Sequence, residues 1–185
     1  SRTFLIDRQY LNLPIASDAP VRRLTLVVDG TVVNDFEAAI TERTPDFWAF
    51  VDVSRWRGKH ADLRAQRLPA GGAALDKAEL SNSLRADEPL YAEKLRPQFH
   101  FTTRRGWIND PNGLVFAGGE YHLYYQHNPF GWTSRNMHWG HAVSRDLVRW
   151  TELPAALAPH RFGDWVWSGS AVVDAANTSG FKTGR

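Results

Sequence analysis

Arg105-Gly106-Trp107-Ile108-Asn109-Asp110-Pro111-Asn112-Gly113 is the stretch whose reading decides the rest. Asn, Asp, Pro, Asn and Gly at 109–113 combine turn formers with a proline that fixes φ, so composition predicts a turn. Trp107 and Ile108 open it, and a solvated loop has no use for two large apolar side chains. Asp110 stands between an amide and a proline, a carboxylate in a stiff backbone beside an aromatic wall. Two readings follow. One is a capped turn whose tryptophan plugs the core; the other is an acid held still against a ligand with a flat apolar face.

The segment after it reads as β-structure. Residues 113–117, then Gly118-Gly119, then 120–126 predict a hairpin. A third strand fits 138–143, and a turn at 144–147 leads to a fourth at 148–153. Four short antiparallel strands over about forty residues make one propeller blade. Val166 to Val173 would open the next blade, so the chain is expected to hold only the start of a propeller.

The first eighty-odd residues also predict strands, at 9–13, 23–28, 31–33, 47–53 and 61–67. Asp29-Gly30 is a two-residue hairpin signal, and Trp56-Arg57-Gly58-Lys59 a turn. Short strands at this spacing suggest a small antiparallel sandwich, with Trp48, Phe50 and Trp56 in its core. Pro69-Ala70-Gly71-Gly72 breaks the pattern, a short helix is predicted over 74–84, and Asp87-Glu88-Pro89 ends it. The expected division is an all-β chain in two units, 1–85 sandwich-like and 86–185 the opening of a propeller.

Composition narrows the function classes. Hydrophobic residues at 43% and charged residues at 23% of 185 are globular values. The net charge is +2 and the basic residues are scattered, which disfavours nucleic acid as a partner. Without cysteine there is no thiolate or disulfide chemistry. No apolar run reaches the length of a membrane span, so no membrane partner is expected. Ser1-Arg2-Thr3 lacks the basic-then-apolar layout of a signal peptide. Tryptophan is the unusual count, eight in all and six of them after residue 100.

Trp107-Ile108-Asn109-Asp110-Pro111-Asn112-Gly113 resembles the signature of glycoside hydrolase family 32, the invertases, inulinases and levanases. Tyr125-Gln126-His127-Asn128-Pro129, Trp139-Gly140-His141-Ala142 and Trp167-Ser168-Gly169-Ser170-Ala171 resemble its next three motifs, in order. Residues 11–84 are more loosely similar to the small β-domain that precedes the propeller in some bacterial levanase-type members. The resemblance implies a five-bladed β-propeller followed by a β-sandwich, cleaving β-fructosidic bonds with retention. It makes Asp110 the nucleophile and places Asn109, Gln126, Trp167 and Ser168 against the fructosyl unit. The family's Arg-Asp-Pro motif and its acid/base Glu-Cys motif do not occur in these 185 residues. Many members carry a pocket tryptophan five residues before Trp-Gly-His; here that position is Ser134, and Trp132 is the nearest replacement.

The residues themselves support that chemistry. Retaining hydrolysis uses two carboxyl groups roughly 5 Å apart. Asp110 can attack if its neighbours keep it ionised. Asn109 and Gln126 offer planar donors and acceptors to a polyol, and Trp107 and Trp167 offer apolar area to its C–H face. Asp146 and Asp164 read as turn formers, so the acid/base is expected on a second chain or a C-terminal portion outside this sequence. His122, His127, His138 and His141 raise a zinc site, but His138 and His141 would face opposite sides of a strand. No metal and no cofactor are expected. A levanase-like fructan hydrolase is the leading expectation, secreted or at the cell envelope, with a fructosyltransferase or a non-catalytic fructan-binding module as alternatives.

Overall fold

In the computed structural model, which describes residues 1–86 and 89–182, the chain is all-β with three antiparallel sheets. The first holds β1 (Arg2–Leu5), β3 (Arg22–Val28), β4 (Thr31–Ala38) and β6 (His60–Ala65), ordered β1-β6-β3-β4. The second is β5-β2-β7, from β2 (Tyr10–Ile15), β5 (Phe47–Asp52) and β7 (Glu79–Ser81). Asp29 and Gly30 both take positive φ, 48° and 79°, the mirror-image turn that matches the twist of the β3–β4 hairpin.

These two sheets bury one apolar cluster. Leu11, Leu13 and Ile15 of β2 meet Leu24, Leu26 and Val28 of β3, Phe36 of β4 and Leu63 of β6, all nearly inaccessible. Removing this much apolar surface from water is the main stabilising term. Trp48 is buried as expected, whereas Trp56 packs only partly against the cluster and Phe50 is half-exposed. Asn12 is the polar member of β2 and fully buried. Its amide donates to the Ser83 carbonyl (3.3 Å) and its oxygen accepts from the Arg85 backbone N–H (3.1 Å), which pins the segment after β7. The helix predicted over 74–84 does not form. Its residues make hydrogen-bonded turns and then pair as β7 with β2, because the β2 edge offers ladder partners and Leu75 and Ala78 a place in the core.

The third sheet holds β8 (Trp107–Ala117), β9 (Glu120–Asn128), β10 (His138–Ser144) and β11 (Thr151–Leu157), ordered β11-β10-β9-β8. Three differences from expectation matter. The stretch at 109–113 is strand, not turn; its proline and glycine are absorbed by register shifts between Ile108 and Pro111 and between Asn112 and Val115. The fourth strand begins three residues late, because Asp146 Oδ1 takes the Val148 (2.9 Å) and Arg149 (2.7 Å) N–H groups and extends the turn. Residues 158–182 form no strand, so the next blade expected at 166–173 is not seen there.

The third sheet leans on the first two through the loop after β9. Phe130 belongs to their apolar cluster and stacks on Phe36 with ring centroids 4.0 Å apart. Asn136 brackets the Glu37 backbone, accepting from its N–H (2.8 Å) and donating to its carbonyl (2.9 Å). The segment before β8 is anchored by Glu152 of β11, which accepts from Tyr91 Oη (2.8 Å), Thr103 Oγ1 (3.0 Å) and the Arg104 N–H (2.7 Å).

Gly140 has a packing reason. A Cβ there would stand far inside contact distance of Tyr125 Cε2 and Cζ, and Tyr125 is only 1% exposed. Gly140→Ala is expected to lose roughly 1–3 kcal/mol by overpacking. Thermal melting measures it, and an unchanged midpoint would mean that the tyrosine has room to move.

Candidate active site

The sheet brings the sequence motifs together at one rim. Asp110 lies exposed on β8, within the first of its two register shifts, the one between Ile108 and Pro111. Gln126 comes from β9, which pairs with β8, and is 2% exposed. Ser168 arrives from 58 residues beyond Asp110, on the segment that lies over the sheet. Three contacts hold that segment. The Gly113 N–H donates to the Gly169 carbonyl (3.1 Å), the Val166 N–H to the Met137 carbonyl (3.0 Å), and Trp139 Nε1 to the Trp167 carbonyl (3.0 Å).

Around Asp110 the hydrogen bonds run in one direction. On one side Gln126 Nε2 donates to Ser168 Oγ (3.2 Å), whose hydroxyl donates to Asp110 Oδ2 (2.6 Å). On the other, Trp107 Nε1 donates to Asn109 Oδ1 (2.7 Å), whose Nδ2 donates to Asp110 Oδ1 (3.1 Å). Two chains of donors therefore end on the two oxygens of one carboxylate, and each link polarises the next. The Ser168 hydroxyl first, then the Asn109 amide, hold the Asp110 carboxyl below its ordinary range, so it is an anion at neutral pH.

Gln126 Oε1 is buried with no partner, next to an Nε2 that is engaged. A buried acceptor left open is uncommon and fits a ligand hydroxyl. Trp167 is 69% exposed, and Trp165 lies 5.0 Å from it, centroid to centroid. Trp107 is partly buried and turns its ring nitrogen to Asn109. Trp132 joins a different neighbourhood, edge-on to Phe47 with centroids 4.7 Å apart.

The other carboxylates are engaged elsewhere. Asp146 serves its own turn, and the Arg149 and Val148 N–H groups hold its carboxyl down to about 2. Asp164 sits 3.5 Å from Arg161 in a turn. The histidines divide by face: His138 packs edge-on to Phe130, while His141 meets His122 at 3.0 Å and stacks on Tyr124. Among the described residues no three of His, Asp and Glu are grouped to share a metal ion. Trp139 and Gly169 were not singled out as site residues. Trp139 holds the Trp167 carbonyl, and a Cβ at Gly169 would stand 3.2 Å from the Trp139 ring, so both set where Ser168 lies.

The glycosyl hydrolases family 32 N-terminal domain matches residues 100–185, the part that carries all of these groups. Residues 100–185 belong to that family. The chain is 58% identical over 100 residues to a levanase of Bacillus subtilis (strain 168), covering 54% of this chain and 15% of the levanase. It is 50% identical over 100 residues to an extracellular exo-inulinase of Aspergillus awamori, covering 51% and 19%. A crystal structure of exo-inulinase from that organism superposes with a TM-score of 0.48 at 47% identity, over 50% of this chain and 19% of that one. The chain thus spans less than a fifth of the length of these relatives.

Proposed function

We propose that this chain supplies the nucleophile and part of the fructosyl pocket of a retaining fructan β-fructosidase. The observation that carries the reading is the exposed Asp110 anion at the end of two converging donor chains. Attack by Asp110 on C2 of a β-fructoside forms a covalent fructosyl ester as the glycosidic oxygen leaves. A proton must reach that oxygen, and water must later cleave the ester. The anion also offsets the positive charge that develops at the tertiary C2. Gln126 and Asn109 bind fructosyl hydroxyls, and the Ser168 hydroxyl keeps Asp110 aimed. Trp107 and Trp167 shield the sugar's C–H face.

The relatives named levanase and extracellular exo-inulinase support fructans as the substrate class and a place outside the cell. Residues 1–85 and 86–185 are read as two units, a β-sandwich and the opening of a five-bladed propeller. The acid/base glutamate then comes from polypeptide beyond these 185 residues, on the same chain or a second one. General-acid help is worth roughly a hundredfold to ten-thousandfold, and more than that group is missing from this sheet. The 185-residue chain by itself is therefore expected to release no fructose from levan, inulin or sucrose. Joined to a portion carrying Arg-Asp-Pro and Glu-Cys segments, it should release fructose. Turnover by the isolated chain, or none by the joined one, sinks the proposal.

A further inference from the structure

A cleft of about 580 Å³ lies between the sheet edge at β5 and the approach to β8. Asp46, Phe47 and Trp48 line it from one side, Arg96 and Arg105 from another, and Trp132 from the loop after β9. None of these residues belongs to the hydrogen-bond network at Asp110. Gly106 lies on its wall, one residue before Trp107, so the two sites adjoin along the chain.

Three observations bear on what would fill it. Trp132 leaves 52% of its surface open while Phe47 holds its ring edge-on, so an indole platform stands ready at the mouth. Trp48 is 5% exposed, carries the Arg85 guanidinium 4.0 Å over its ring, and has a buried Nε1 with no partner. An unmet buried donor is unfavourable and calls for an acceptor. The charges that line the cleft are mostly engaged, although Arg104, 3.6 Å from Glu152 outside the cleft, keeps a buried Nε without a hydrogen bond. Arg96 forks onto Glu93 (2.8 and 2.9 Å) and Arg105 reaches the same carboxylate (3.1 Å). Asp46 accepts the Ser17 N–H (2.7 Å).

Ions already paired give little to a charged ligand. A neutral polyol with an apolar C–H face suits the remainder: the face lies on indole and a hydroxyl oxygen accepts from an indole N–H. We propose that this cleft is a second glycan site, which holds a fructosyl stretch of the polysaccharide against Trp132 and Trp48 apart from the Asp110 site. The proposal rests on the fructan reading for the identity of the sugar. A polymer bound at both places gains effective concentration at the reacting end.

The indole ¹⁵N–¹H spectrum of the 185-residue chain tests it, with levan-derived oligosaccharides of three to six units and 1-kestose as probes. Signals are assigned by single Trp→Phe variants. The Trp48 and Trp132 signals should shift saturably in the wild type and in Gln126→Ala, which strips the Asp110 site of a binding group. Trp132→Ala should weaken that response tenfold or more, as losing an aromatic anchor does, and Trp132→Phe should restore part of it. Because Trp132 is half open, its truncation should leave the melting midpoint close to wild type. If Trp107 responds while Trp48 and Trp132 stay still, the second site is wrong and the fructan reading stands. If all three stay still, both fall. A Trp48 response undiminished in Trp132→Ala also overturns the proposal.

Discussion

Asp110→Asn, placed in the assembled enzyme, is expected to leave folding and sugar affinity close to wild type and to remove fructose release by roughly a thousandfold or more. The amide is nearly isosteric with the carboxylate, and Asp110 is exposed, so nothing in the core has to repack. Its oxygen still accepts from the Ser168 hydroxyl, and its NH₂ meets Asn109 at a rim open to solvent. What disappears is the anion proposed to attack C2 and to offset the charge growing there. A thousandfold is about 4 kcal/mol of barrier. Steady-state kinetics should show the loss in kcat with KM little changed, because the interaction is made only in the transition state. Mass spectrometry after quenching with a slow fluorinated fructoside should find the sugar on the peptide containing Asp110. Turnover within tenfold of wild type, or labelling elsewhere, would assign Asp110 to the bulged strand and to nothing more.

Ser168→Ala separates aim from attack. Asp110 keeps its charge and loses the 2.6 Å hydroxyl contact that does most to lower its pKa. The affected activity should therefore fall less than in Asp110→Asn, and its acidic limb should move to higher pH.

How much of this could be read from sequence depends on range. Asp29-Gly30 and Gly118-Gly119 announce their hairpins because a two-residue turn with positive φ needs those residues and no others nearby. β1 and β7 escaped notice. Each is short, and each pairs with a strand far along the chain, β6 and β2, so local pattern says little about them. The stretch at 109–113 misled for a better reason. Asp, Pro and Gly favour turns, and the structure uses that preference to bulge a strand and not to end one. Asp110 as an anion was legible in outline. Its main partner was not legible from local pattern, because Ser168 is 58 residues away and only the order of motifs links them. Trp139 was missed as a positioning residue since its role is a single bond to a main-chain carbonyl.

Acidification is expected to unlock the third sheet before it protonates Asp110. His138 is 9% exposed, and burial first of all pushes it down to about 4 from an ordinary value near 6.5. Its Nδ1 faces the Asn136 carbonyl, which opposes the shift, and His127 across the strand pair adds to it. His127 is itself lowered, mainly by burial, while its Nδ1 donates to the Trp107 carbonyl (2.8 Å) and Glu152 acts the other way. Both rings are thus neutral, with Nδ1 as the donor, and a second proton would land on a buried Nε2. A folded-state pKa below the unfolded value means that the unfolded chain binds protons first. The stability is then fully present above about pH 6.5 and is lost as pH falls through the window to 4. For His138 alone the loss is on the order of 3 kcal/mol, and His127 adds to it. Urea unfolding followed by tryptophan fluorescence at pH 7.5, 6.5, 5 and 4 measures the slope. His138→Asn, whose amide can still donate to the Asn136 carbonyl, should flatten it, which separates this group from carboxylates titrating in the same range. Trp139 follows His138 in the strand and holds the Trp167 carbonyl, so loosening β10 frees Ser168 from Asp110. Binding of fructo-oligosaccharide at the Asp110 rim should therefore fall in parallel with the unfolding signal, and a site that kept full affinity at pH 4 would show that β10 holds without its neutral histidines.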